Sequence, residues 1–313
     1  MKHRTAFVVP AFVGAVMAAH LLIPAPGLAE GASRGPSPAS TPPASTPPPS
    51  PPSAPSVPGA PPGRGLATEG ATTPEQAVRL ALDGLGAHHG RYALAVEDLT
   101  SGRSAAYGSS TETFTSASII KVDILAALLL RTQDRGGRLG PAQRQLASDM
   151  IRFSDNDAAQ QLWADIGRRQ GLDAANARLG LTPAHAGQGG PWGLTRTTAR
   201  DQISLLRAVF TQDSPLDATS RSYLRTLMGA VTDGQNWGVG AAGTPGDRPV
   251  LKNGWLPGGT PQLWVVNSMG VVERAGHTLL VVVLTDGQPT RESGISLIER
   301  AAATAVETLV RTP

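Results

Sequence analysis

The sequence predicts an α+β fold: an antiparallel sheet built from both ends of the folded chain, flanking helices, and an all-α subdomain inserted between them. Three observations lead there. Two short strand-like runs, "RYALAVEDLT" and "RSAAYG", lie near the start of the folded part, around the turn Ser101-Gly102. Two longer ones, "QLWVVNSMGVV" and "HTLLVVVLTDG", face each other across Glu273-Arg274-Ala275-Gly276 near the other end. Between these pairs, from Pro141 to about Ala230, the periodicity is helical.

Taken in order, the chain opens with an export-type signal at residues 1–29. Lys2, His3 and Arg4 form a basic start, an apolar run follows, and small residues at Gly27 and Ala29 suit cleavage after Ala29. Pro10, His20 and Pro24 disfavour the rival reading, an uncleaved membrane anchor. Residues 30–72 are rich in Pro, Ser and Ala with few apolar side chains to bury, the composition of an extended, disordered tether. These segments predict a secreted or extracytoplasmic protein, membrane-tethered if the signal stays on, and the tether leaves room for cell-wall contact.

The folded domain is expected over residues 73–313. "TPEQAVRLALDGLG" reads as a helix with Thr73 as cap, Pro74 at its first position and Gln76 completing a capping box. The first strand pair follows. "TFTSASIIKVDILAALLLR", Thr113 to Arg131, is apolar nearly all round, so it reads as a buried helix. The helical block contains "AAQQLWADIG", "TTARDQISLLRAVF" and "SRSYLRTLMGAV". The second strand pair comes next, and a helix from about Glu292 to Arg311 closes the domain.

Composition narrows the chemistry. The formal charge is +3, too small to indicate a nucleic-acid partner. There is no cysteine, hence no disulfide and no thiolate metal site. His88 and His89 lack partners at metal-ligand spacing, so no metal and no cofactor is expected. Lysine occurs only at Lys2, Lys121 and Lys252 in a chain that otherwise uses arginine. Arginine keeps its proton in proteins, whereas a desolvated lysine can release one.

Lys121 stands three residues after Ser118, so the two share a helix face. Ser118 falls in the first turn, where amide N–H groups favour developing negative charge. Lys121 falls one turn deeper among apolar side chains, which lower its proton affinity. This is a way to activate a serine without histidine. Alone the pair is a weak signal, because serines three before a lysine are common. Two more patterns strengthen it: Ser154-Asp155-Asn156 where one helix hands over to another, and Lys252-Asn253-Gly254 at the start of a strand.

With these three motifs in this order, the sequence resembles the serine β-lactamase and penicillin-binding protein superfamily, class A in particular, from about Thr73 to Pro313. The resemblance implies the β-lactamase/transpeptidase-like fold and a Ser118 acyl-enzyme. It implies that Lys121 takes the Ser118 proton and that Ser154 relays a proton to the leaving nitrogen. Asn156 would hold the substrate amide, and Lys252 would bind Ser154 and the substrate carboxylate. The backbone N–H groups of Ser118 and Trp255 would form the oxyanion hole beside Gly254. Asp155 would be structural. The substrate would be a small molecule, a β-lactam or a peptidoglycan peptide; the oligomeric state is left open.

Two departures stand out. Asn253 replaces the threonine of K-T-G, which leaves the backbone role of the strand. The loop "TPAHAGQGGPWG", where class A enzymes carry a glutamate that positions the hydrolytic water, has no acid, and no glutamate occurs between Glu112 and Glu273. Slow deacylation is therefore expected. His185 in that loop reads as solvent-facing, Asp123 as an internal partner of an arginine, and Trp192 and Trp237 as core or rim packing residues, with lining of the cleft as their rival reading. A D-alanyl-D-alanine peptidase and a non-catalytic wall-binding domain remain the alternatives to a β-lactamase.

Overall fold

Thr73 starts the first helix, α1 (Pro74–Asp83), through a closed capping box: Gln76 N donates to Thr73 Oγ1 at 3.2 Å and Thr73 N to Gln76 Oε1 at 3.0 Å. The structure, a computed structural model, describes residues 72–182, 190–258 and 262–312. The expected signal (1–29), the tether (30–72) up to residue 71, and His185 lie outside the described residues.

Strands β1 (Arg91–Asp98) and β2 (Ser104–Tyr107) pair antiparallel across a turn in which Gly102 takes φ +77°. The segment from Thr113 departs from the expected helix. Phe114–Thr115 is a short strand, β3, and Ala117–Ile119 is one 3₁₀ turn. Helix α2 proper runs over Ile120–Asp134, and every residue from Ile120 to Leu130 is buried. The helical block continues as α3 (Pro141–Arg152), α4 (Asn156–Asp165) and α5 (Arg168–Leu179). Strand β4 (Arg196–Thr197) pairs with β3, and α6 (Ala199–Phe210) and α7 (Ala218–Met228) follow.

The second sheet segment is β5 (Val250–Gly258), β6 (Leu263–Arg274) and β7 (His277–Gln288), before the closing helix α8 (Arg291–Arg311). The β6–β7 turn is tighter than the four residues expected: Ala275 and Gly276 alone make it, both at positive φ (50° and 82°). A two-residue turn of that hand matches the natural twist of a hairpin.

The sheet is antiparallel in the order β2-β1-β7-β6-β5, so strands from the two ends of the domain meet at β1 and β7. Register sets which side chain enters which core. Ala93↔Leu284 and Ala95↔Val282 face the layer formed by α2 and the rest of the helical block. Leu94↔Val283 and Val96↔Val281 face α1 and α8 on the opposite side. Being covered on both faces, β7 reads as an unbroken apolar run. β5 is left as an edge strand, and its free side lies against the 3₁₀ turn that carries Ser118.

Candidate active site

Ser118 is held from three directions. The β3–β4 pair brings Thr195 O to Ser116 N at 2.8 Å. Asn267 on β6 donates its Nδ2 to Thr115 O (2.8 Å) and Ser116 O (3.0 Å), while its Oδ1 accepts from Thr285 N (3.0 Å). Ala117 takes φ +50°, a left-handed conformation that costs a residue bearing a Cβ about 1–2 kcal/mol. That kink presents Ser118, half-buried, in the 3₁₀ turn that leads into α2 instead of in the first α-turn. β5 comes so close that a Cβ on Gly254 would stand 2.7 Å from Ser118 N and 2.7 Å from Ile119 N. Only glycine permits this approach. The backbone of β5 at Gly254 thus lies directly against that of Ser118 at the edge of the sheet.

Ser154 is the centre of the polar network. It lies between α3 and α4 at φ +57°, and Asp155 caps α4 by accepting from Ala158 N at 2.7 Å. Lys121 Nζ donates to Ser154 O (2.6 Å), Ser154 Oγ (3.1 Å) and Asn156 Oδ1 (2.8 Å). Lys252 Nζ donates to the same Ser154 Oγ at 3.1 Å, to Asn253 O at 2.8 Å and to Gln235 Oε1 at 3.4 Å. One hydroxyl thus bridges two buried lysines that come from a helix and from a strand far apart in sequence.

Burial pushes the Lys121 amine down from 10.5 to about 8, with the nearby Asp155 carboxylate opposing. It pushes Lys252 well down too, and the Lys121 charge adds to the effect. Among the described residues no carboxylate forms an ion pair with either lysine, and Ser118 Oγ has no hydrogen-bond partner. The Lys121 ammonium also lies 5.0 Å from the ring centroid of Trp192.

The remaining sequence candidates divide. Asn156 is exposed, with its Oδ1 on Lys121. Asn253 is buried, and its Nδ2 donates to Gln235 O (2.9 Å) and Trp237 O (2.8 Å). Its amide donors are thereby used to anchor residues 235–237, while its Oδ1 is buried without a partner among the described residues. Trp255 turns its indole to the α8 side, edge-on to Trp237 at 5.8 Å and under the Arg291 guanidinium at 4.8 Å. Asp123 does not meet an arginine. It accepts from Gln202 Nε2 at 3.2 Å on the far side of α2, and burial raises its carboxyl to about 7. Two surface cavities of about 450 and 590 Å³ lie elsewhere, and none of these candidate residues lines them.

Sequence reasoning did not find Gln235, Asn267 or the place of Trp192. Gln235 and Asn267 are single amides in segments without a recognisable pattern. Trp192, at the end of the acid-free loop, reads from the sequence only as a packing or cleft-lining ring, and its three-residue 3₁₀ turn carries no periodic signal that places it over Lys121.

The site thus holds a serine hydroxyl without a hydrogen-bond partner among the described residues, two desolvated amines and a hydroxyl that bridges them, groups of the kind acyl transfer uses.

Comparison with known proteins places the chain in a family and a fold. The model of the β-lactamase enzyme family matches residues 141–309, which include Ser154 and Lys252 and begin after Ser118 and Lys121. A class A β-lactamase from Bacteroides cellulosilyticus is similar at 17% identity and a TM-score of 0.63, over 76% of this chain and 98% of that one. The structure of PBP-A is similar at 20% identity and 0.62, over 75% and 94%. A β-lactamase from Burkholderia phymatum is similar at 21% identity and 0.61, over 75% and 99%. At such identities the likeness is one of fold. No curated protein matches the chain.

Proposed function

Since the chain belongs to the β-lactamase enzyme family, we propose that it is an exported serine hydrolase that opens β-lactams through a Ser118 acyl-enzyme and releases the product slowly. The observation that carries this reading is the Ser154 hydroxyl held 3.1 Å from both Lys121 and Lys252.

In the proposed reaction the lactam carbonyl sits between the Ser118 and Trp255 amides, its carboxylate toward Lys252. Neutral Lys121 takes the Ser118 Oγ proton as the oxygen adds to the carbonyl, and the oxyanion is met by the two N–H groups. The tetrahedral intermediate collapses by breaking the C–N bond. Ser154 hands its hydroxyl proton to the departing nitrogen and is reprotonated from the lysines. The contact between Lys121 and Ser118 tightens as substrate enters, as such contacts often do. Hydrolysis of the resulting ester needs a base for water, and residues 182–199 hold no acid. Losing such help typically slows a step by about a hundred- to ten-thousandfold.

Purified protein mixed with a penicillin should show a long-lived mass adduct and a product burst followed by a slow phase. Fast, burst-free turnover would defeat the slow-release part, and no adduct with no turnover would defeat the reading as a whole. The acid-free segment also suits a peptidase acting on D-alanyl peptides. Slow release of penicilloyl groups with quick turnover of D-alanyl peptides would select that second reading.

A further inference from the structure

We propose that Trp192 is a positioning residue: its indole caps Lys121 and closes the side from which water would reach the Ser118 ester. This inference rests on the acyl-enzyme reading above and deepens it.

The lysine has a polar side and an apolar side. Its amine donates to Ser154 O, Ser154 Oγ and Asn156 Oδ1, and the Trp192 ring lies 5.0 Å away. Lys121 is fully buried although Asn156 beside it is exposed, so a cover of some kind keeps solvent off the amine. The backbone that carries the ring is anchored to the serine turn. Thr195 N and Thr195 Oγ1 both donate to Trp192 O (3.1 and 2.6 Å), and Thr195 O accepts from Ser116 N, two residues before Ser118. Trp192 also packs on the core beneath α2. A ring whose backbone is tied through Thr195 to that of the serine turn has little freedom to drift from it.

Nearby acids do not take over the role of a water-activating base. Asp201 accepts from Thr182 N, Thr182 Oγ1 and Thr198 Oγ1, Asp123 accepts from Gln202, and Asp155, exposed beside Lys121, caps α4 by accepting from Ala158 N. Release of the acyl group requires that a water oxygen add to the ester carbonyl while its proton passes to a base. The ester C–O bond then breaks, and Ser118 Oγ recovers a proton. With these carboxylates engaged elsewhere, neutral Lys121 is the remaining base, and an indole over it leaves little room for water. The same cover helps acylation, because an amine kept dry is more readily neutral. The ring's attraction for an ammonium opposes this, and the lysine midpoint measured below reads which effect wins.

The test compares the full chain with Trp192→Ala and Trp192→Phe, using two readouts. The first is release of a fluorescent penicilloyl label after free label is removed. Trp192→Ala should release about tenfold faster or more, a small part of the range that base catalysis spans, while Trp192→Phe stays near the parent. The second is ¹⁵N NMR of the lysine side chains, which holds only three signals because the chain has lysine at Lys2, Lys121 and Lys252 alone. The Lys121 midpoint should rise toward the ordinary lysine range in Trp192→Ala and hold in Trp192→Phe. Trp192→Gln serves in place of the alanine variant if that one melts early. Release at the parent rate from a well-folded opened variant overturns the proposal. If the parent takes no label, the acyl-enzyme reading falls by itself and the NMR midpoint decides the cap: a shift supports it, an unmoved midpoint refutes it.

Discussion

Replacing Asp123 by asparagine should make the protein more stable in alkaline solution and leave it little changed in acid. The carboxyl is raised from 3.8 to about 7, first by burial, while the Gln202 amide and its own backbone N–H oppose and the Asp201 charge adds. Around it lies a narrow chamber lined by Asn176, Thr182, Thr195, Thr197 and Asp201. Asp123 Oδ2, Gln202 Oε1 and Asn176 Oδ1 are buried acceptors there without a partner among the described residues. A protonated carboxyl supplies a donor to such a set, and an ionised one adds charge without any. Because the folded-state value lies above the unfolded one, the folded protein binds more protons between about pH 4 and 7. Stability from this group is therefore present in acid and is lost as pH rises through about 7. From pH 5 to pH 8 the loss works out at about 2–3 kcal/mol. For a domain of this size that is roughly 5–10 °C in melting temperature. The asparagine side chain is the same size, is neutral at every pH, and carries an NH2 to serve the unpaired oxygens. Urea or thermal unfolding of parent and Asp123→Asn at pH 5, 6.5 and 8 isolates the effect, since all other groups titrate alike in both. Parallel pH profiles would refute the argument and show that Asp123 is ionised in the folded protein at neutral pH.

Ser118→Ala should stay folded and take up no fluorescent penicillin; equal labelling of variant and parent would remove Ser118 as the nucleophile. Lys121→Arg keeps the charge but cannot give up its proton, so acylation should fall about a hundred- to ten-thousandfold, whereas Lys252→Arg should retain part of the rate. The parent's acylation rate should climb with pH through about 8 as Lys121 becomes neutral, so a flat profile between pH 6 and 9 would argue against its role as base. Gly254→Ala should cost about 1–3 kcal/mol and most of the labelling rate, since its Cβ meets the Ser118 and Ile119 backbone at 2.7 Å and must push β5 away; full labelling would mean that the strand's approach is not needed.

What the sequence alone determined is what short-range chemistry encodes. The Thr73–Gln76 box is local, and it forms as read. The long strands followed from apolar runs too rich in β-branched residues for anything but a covered sheet, with a turn between them that spans two residues where four were expected. Ser118 and Lys121 stand three apart, so their nearness needs no knowledge of the rest of the fold. Even there the local reading overreached: residues from Thr113 look helical by composition, but pairing of Phe114 with Thr197 pulls them into a strand and leaves Ser118 in a 3₁₀ turn. Tertiary structure decided every contact that joins distant elements. Ser154 reaches Lys121 across 33 positions and Lys252 across 98, Gln202 and not an arginine reaches Asp123 across 79, and Trp192 comes to cover the amine. Nothing local distinguishes these amides, hydroxyls and rings from others of their kind. Their partners are chosen when α2, the helical block and the edge strand β5 pack at one place, and that packing is a property of apolar faces far from the groups it brings together.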